Sequence, residues 1–151
     1  MFEFKKLCSE LEKLDPVERG VLLAEKSASV VKGLRGSDLP FDPVETLILF
    51  IMGSVVSDGA FGERDYLFIY PSLVKAFGKD FDLMLAKQTL QTAKDIKKEI
   101  AKHANDMMSV IAECDENLAS DIVTLCLLTT SVDGKITLKE KRYIRRICRR
   151  I

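Results

Sequence analysis

The chain has 151 residues, 47% of them hydrophobic and 30% charged, and its 23 basic and 23 acidic side chains leave no formal net charge. That composition excludes an intrinsically disordered protein, and it removes the field that would draw the whole molecule to nucleic acid or to an acidic membrane. The length predicts one all-helical domain over residues 1–151, burying roughly 70% of the surface its unfolded chain exposes.

The N-terminal Met-Phe-Glu-Phe-Lys-Lys has neither the apolar run nor the small-residue cleavage site of a signal peptide. Phe4, Leu7, Cys8, Leu11 and Leu14 then recur at helical spacing and predict a first helix over residues 2–14. Asp15-Pro16-Val17-Glu18 restarts the chain as a second helix, with an acid as N-cap, proline at the first helical position and glutamate placed to close a capping box. This helix should run to Gly36. Asp42-Pro43-Val44-Glu45 repeats the same start. The apolar stretch that follows, Val44 to Val56, falls short of the roughly 20 residues a bilayer crossing needs and predicts a helix buried on most sides.

Further along, Glu63 to Tyr70 should be a short helix interrupted at Pro71, with a turn or two more until Gly78. Leu83, Leu90, Ala93, Ile96, Ile100, Met107, Val110 and Ile111 mark the inner face of a long helical stretch from Asp80 to Glu113, with a break expected near His103-Ala104-Asn105. Asp115-Glu116-Asn117 reads as a turn, and Leu118 to Ser131 as the next helix. Thr137-x-x-Glu140 is a capping box for a last helix from Leu138 to Ile151. Its Lys and Arg residues lie opposite a stripe of Ile144, Ile147, Cys148 and Ile151, the pattern of a solvated C-terminal helix whose cations complement the dipole, with nucleic acid or anionic lipid on that basic face as the alternative. No β-alternation persists anywhere, so the fold class is all-α with about seven helices.

Two segments match at a constant offset of 75 residues. Ser57-Asp58-Gly59-Ala60-Phe61-Gly62-Glu63-Arg64-Asp65 corresponds to Val132-Asp133-Gly134-Lys135-Ile136-Thr137-Leu138-Lys139-Glu140, and the apolar residues upstream pair as Leu47/Ile122, Phe50/Leu125 and Met52/Leu127. The internal repeat therefore spans about residues 47–69 and 122–144. Each copy is a helix, an Asp-Gly joint, a buried anchor and an acid opening the next helix. Counted as a twelve-residue calcium loop, the second copy puts Gly134 at the bend, Ile136 at the anchor and Glu140 at the bidentate position. Thr129 and Ser131 stand where carboxylates belong, and the first copy has Ser54, Val56 and the shorter Asp65. So few charged ligands place any affinity near the millimolar end of the range. Asp-Gly is also an ordinary turn pair, and Glu140 is explained by capping alone.

The run from Val132 to Ile144, and less fully that from Ser57 to Asp65, resembles the TerB-like family of tellurite-resistance proteins, over roughly residues 42–151. The resemblance implies a bundle of two similar helix-loop-helix halves, with residues 1–41 as an N-terminal helical extension. It also implies a cytoplasmic, non-catalytic module tied to tellurite or stress response that works with other proteins. Carried over position by position, it makes Asp58, Asp65, Asp133 and Glu140 a candidate acidic site for a divalent cation, calcium or magnesium or manganese. The alternatives are a metal-free helical interaction scaffold and a degenerate EF-hand-like calcium protein. Neither catalysis nor nucleic-acid binding is expected. Cys8, Cys114, Cys126 and Cys148 form no C-x-x-C pair, His103 has no nucleophile at motif spacing, no Gly-rich phosphate loop is present, and Trp is absent.

Overall fold

A computed structural model describes residues 3–36, 38–56, 73–78, 96–131 and 135–148. Among these residues the chain is helical with no strand, as the periodicity predicts. In chain order the helices are α1 (Phe4–Glu12), α2 (Pro16–Arg35), α3 (Pro43–Val56), α4 (residues 73–77), α5 (Ile96–Glu113), α6 (Glu116–Thr130) and α7 (Leu138–Cys148). The short helix expected from Glu63 to Tyr70 and the start of the long one from Asp80 lie outside the described residues.

Local chemistry sets the helix starts. Glu18 N donates to Asp15 Oδ1 at 2.8 Å, and Asp15 N donates back to Glu18 Oε1 at 3.4 Å, so both halves of the capping box form at α2. At α3, Asp42 Oδ1 accepts from Val44 N at 3.0 Å and from Glu45 N at 3.3 Å. The expected turn at Asp115-Glu116-Asn117 is instead the beginning of α6: Asp115 is its N-cap and accepts from Leu118 N at 2.7 Å. The expected break at His103-Ala104-Asn105 does not occur. α5 runs through it because His103 and Ala104 both face the core, which holds the turn in place. α2 stops at Gly36, which keeps an ordinary negative φ, whereas Gly78 adopts a φ of 54° after α4.

α3 and α6 form the centre. The side chains of Leu47–Met52 and of Ile122–Thr130 are all buried. Fully burying a Leu, Ile or Phe side chain contributes about 1.5–3 kcal/mol, so these two segments supply much of the driving force. The two helices pack against each other, α2 lies along α6, and α3 lies along α5. α7 packs onto α3, α5 and α6 through Tyr143, Ile144 and Ile147, and α1 packs onto α6 through its Phe4, Cys8 and Leu11 stripe. Residues 4–35 thus belong to the same core. Lys26 Nζ meets Asp121 Oδ1 at 2.6 Å, and Ser29 Oγ donates to Asp121 Oδ2 at 3.2 Å, fixing how α2 sits on α6.

Gly53 is needed at the α3–α7 crossing. A Cβ there would lie 2.5 Å from Tyr143 Oη. Its absence lets the Tyr143 ring slide over α3 and stack on Phe50, with centroids 4.6 Å apart and planes 19° from parallel. No helix among the described residues is long and apolar enough to cross a membrane.

Candidate functional site

Of the four acids singled out, Asp58, Asp65 and Asp133 lie outside the described residues. Glu140 is described, and with it the two flanks of the second joint, residues 129–131 and 135–140, whereas residues 132–134 lie outside the described residues.

The joint begins where α6 ends. Thr129 Oγ1 donates to the carbonyls of Cys126 at 2.9 Å and Leu125 at 3.1 Å, Thr130 Oγ1 to Leu127 O at 3.1 Å, and Ser131 Oγ to Leu128 O at 3.2 Å. All three hydroxyls are buried and turned back onto their own helix, the usual way a helix tolerates Ser and Thr inside. The groups at the first and third positions of the formal calcium loop are therefore engaged in ending α6.

A cation already serves this helix end. Arg19, at the start of α2, donates through Nη1 to Ser131 O at 2.6 Å. Its Nη2 donates to Leu11 O at 3.1 Å and Leu14 O at 3.3 Å. One guanidinium thus spans the carbonyls that close α1 and the carbonyl that caps α6, where the helix dipole favours positive charge. On the far side of the joint, Lys141 Nζ meets Glu12 Oε1 at 2.9 Å. α1 is tied to the chain just before the joint and just after it.

Ile136 is buried, as expected for the anchor. Glu140 N donates to Thr137 Oγ1 at 3.2 Å, and Thr137 N donates to Glu140 Oε1 at 3.3 Å, so the predicted capping box forms. The Glu140 carboxylate is buried, with one oxygen turned back to the start of α7. Among the described residues no group of three or more His, Cys, Asp and Glu side chains is arranged to hold a metal ion.

The thiols are not activated. Burial pushes Cys8 up, and burial pushes Cys126 up much further. Cys148 is pushed up to about 12, chiefly by burial with the Cys8 thiol adding to it. Cys114 is also raised by burial, with Asp115 and Glu113 adding. A nucleophilic or redox cysteine needs the opposite shift. Burial likewise drives the Tyr143 hydroxyl far above its ordinary range. Met107 is buried in the core and Met108 packs against it, consistent with packing in place of a ligand pair. On α7, Arg142, Arg145 and Arg146 face solvent as the amphipathic pattern predicts.

Arg19 and the Glu12–Lys141 pair escape sequence reading. Arg19 is 112 residues from Ser131 and sits in no motif, so no local signal announces it. Comparison with known proteins finds no matching family model, no matching curated protein and no matching solved structure.

Proposed function

We propose that the protein is a non-catalytic helical module of the TerB-like kind that acts by binding other proteins in a cytoplasmic stress or tellurite response. In this reading its Asp-Gly joints are architectural corners first. Weak divalent-cation binding through Asp58, Asp65, Asp133 and Glu140 is a secondary property. The observation that carries this order is the guanidinium of Arg19 on Ser131 O, together with the capping role of Glu140. Thr129, Ser131 and Glu140, three of the groups an ion would recruit from the second joint, already have partners within the fold.

Thermal unfolding with excess chelator, then with 10 mM-range calcium, magnesium or manganese, tests it. At a ligand concentration equal to Kd, stabilisation is only about 0.4 kcal/mol, a melting shift of about 1–2 °C for a chain of this size. A shift of that size, lost in Asp133→Asn and reduced in Asp58→Asn, supports a weak site. A rise of about 10 °C at micromolar metal would overturn the architectural reading. No shift with any ion removes the cation and leaves the helical module. Unchanged tellurite and oxidant tolerance after deletion of the gene would remove the pathway that the resemblance implies.

A further inference from the structure

The zero net charge of the chain conceals a strong polarity. Residues 135–151 carry eight basic side chains and one acidic, a net of +7, and the other 134 residues carry fifteen basic and twenty-two acidic, a net of −7. Five of the eight arginines fall in the last ten residues. α7 puts this charge on display. Its one acid, Glu140, is buried, and its outward side chains, Leu138, Lys139, Arg142, Arg145 and Arg146, are all exposed.

Arg142, Arg145 and Arg146 share that face through their three- and four-residue spacing, and none of them forms an ion pair among the described residues. Lys141 differs, since it pairs with Glu12 of α1. A surface of one sign draws an anionic partner, and the rest of the face selects which. Tyr143, Ile144 and Ile147 are buried in the core, so α7 has no apolar stripe left to enter a lipid bilayer. Leu138, 63% exposed, is the one apolar residue outside, too little for the uncharged centre of a protein interface. No aromatic side chain stands on the face to stack an unpaired base. Protein–DNA interfaces are polar and positively charged in just this way. A helix about 10–12 Å across also suits the roughly 12 Å major groove of B-form DNA, whereas that of A-form RNA is too narrow.

We propose that the outward face of α7 docks on the phosphate backbone of duplex DNA through Arg142, Arg145 and Arg146, without reading base sequence. The three arginines span about 6 Å of helix, and a duplex presents one charge per roughly 1.7 Å of its axis, so each guanidinium has a phosphate within reach. Their planar forks match phosphate oxygens in pairs. With three contacts the affinity is on the order of 10⁻⁴ M at physiological salt, the weak end of non-specific binding. The surface is independent of the cation and protein-binding readings above.

Fluorescence anisotropy of a labelled DNA duplex of scrambled sequence, titrated with the full chain, is the test. Affinity should fall with a logarithmic salt slope of roughly −2.7 for three phosphates, about 40-fold between 50 and 200 mM salt. Each of Arg142→Ala, Arg145→Ala and Arg146→Ala should reduce that slope by about 1, and the lysine variants at the same positions should keep it. The triple variant Arg142→Glu/Arg145→Glu/Arg146→Glu should abolish binding, and unfolding midpoints establish that each variant is native. Lys32→Glu, a reversal of charge on α2, should leave the affinity within about twofold, because a distant charge is screened. Equal losses in Lys32→Glu and Arg145→Glu overturn the location. Tighter binding to a single strand, an RNA duplex, phosphatidylserine vesicles or a poly-glutamate peptide overturns the choice of partner. An unchanged anisotropy at the lower salt with the chain in excess of its expected Kd overturns the proposal altogether.

Discussion

α2 and α6 lie side by side and divide burial very differently. α6 hides every side chain from Ile122 to Thr130, whereas α2, five residues longer, buries only Leu23, Ser27, Val30 and Leu34. Polarity does not explain the contrast. α6 carries Thr124, Thr129 and Thr130 into the core, each hydroxyl bonded to a carbonyl of its own helix, while α2 leaves Val17 76% and Val21 56% exposed. Position in the bundle decides. A helix surrounded by neighbours can keep hydroxyls that find a partner three or four residues back, and a helix on the outside can leave valines in water at modest cost.

Substitution along the two helices should break this contrast most severely at the centre. Leu127→Ala removes a fully buried side chain from α6 and should cost about 2–5 kcal/mol in urea unfolding. Val21→Ala on α2 should stay within about 0.5 kcal/mol, and comparable losses at both sites would refute the assignment of the core. Next comes the tie between them. Arg19→Met removes three hydrogen bonds from a charged donor and should cost about 1.5–3 kcal/mol. Arg19→Lys should not restore it, because an ammonium cannot reproduce the planar fork.

Gly53→Ala sharpens the comparison at α3. Alanine gains up to about 1 kcal/mol of helix propensity over glycine, yet its Cβ meets Tyr143 Oη at 2.5 Å, and overpacking of this kind costs about 1–3 kcal/mol. Net destabilisation is expected, with partial rescue by Tyr143→Phe. Tyr143→Phe alone should be neutral or stabilising, since its buried hydroxyl has no hydrogen-bond partner among the described residues. A large loss in that single variant would reveal a partner for the hydroxyl. Asp115→Ala removes the α6 cap and should cost about 1 kcal/mol.

The smallest effect is a pH dependence at the α2 cap. The Glu18 backbone N–H, assisted by its side chain, holds the Asp15 carboxyl below the usual carboxylate range. The cap's contribution is therefore intact above the unfolded value near 4 and is lost as pH falls through the lower folded value. The acid limb of the stability profile should flatten slightly in Asp15→Asn, and an unchanged limb would deny the cap that role.

What was legible in the sequence was local. The boxes Asp15/Glu18 and Thr137/Glu140 join residues three apart, so spacing alone announces them, and both form. The stripes of α1 and α7 follow from periodicity in the same way, although Tyr143 was missing from the expected α7 stripe. Asp115 was misread because a cap and a turn share one composition, and the break at His103 because Asn105 looks like punctuation while the residues before it are pinned in the core. The ties that define the second joint were invisible. Arg19 reaches Ser131, and Lys141 reaches Glu12, across distances in sequence that no pattern encodes.

Arg19 has a further consequence for how the molecule comes apart. One side chain holds the Leu11 carbonyl in the last turn of α1, the Leu14 carbonyl just beyond it and the C-cap of α6, so the C-terminal end of the nine-residue α1 cannot fray without releasing the base of the second joint. Amides near Ser131 should therefore exchange with solvent in step with those of Leu11 to Leu14, as one opening unit. Cutting that bond makes the amino-terminal helix a separate, faster-exchanging piece.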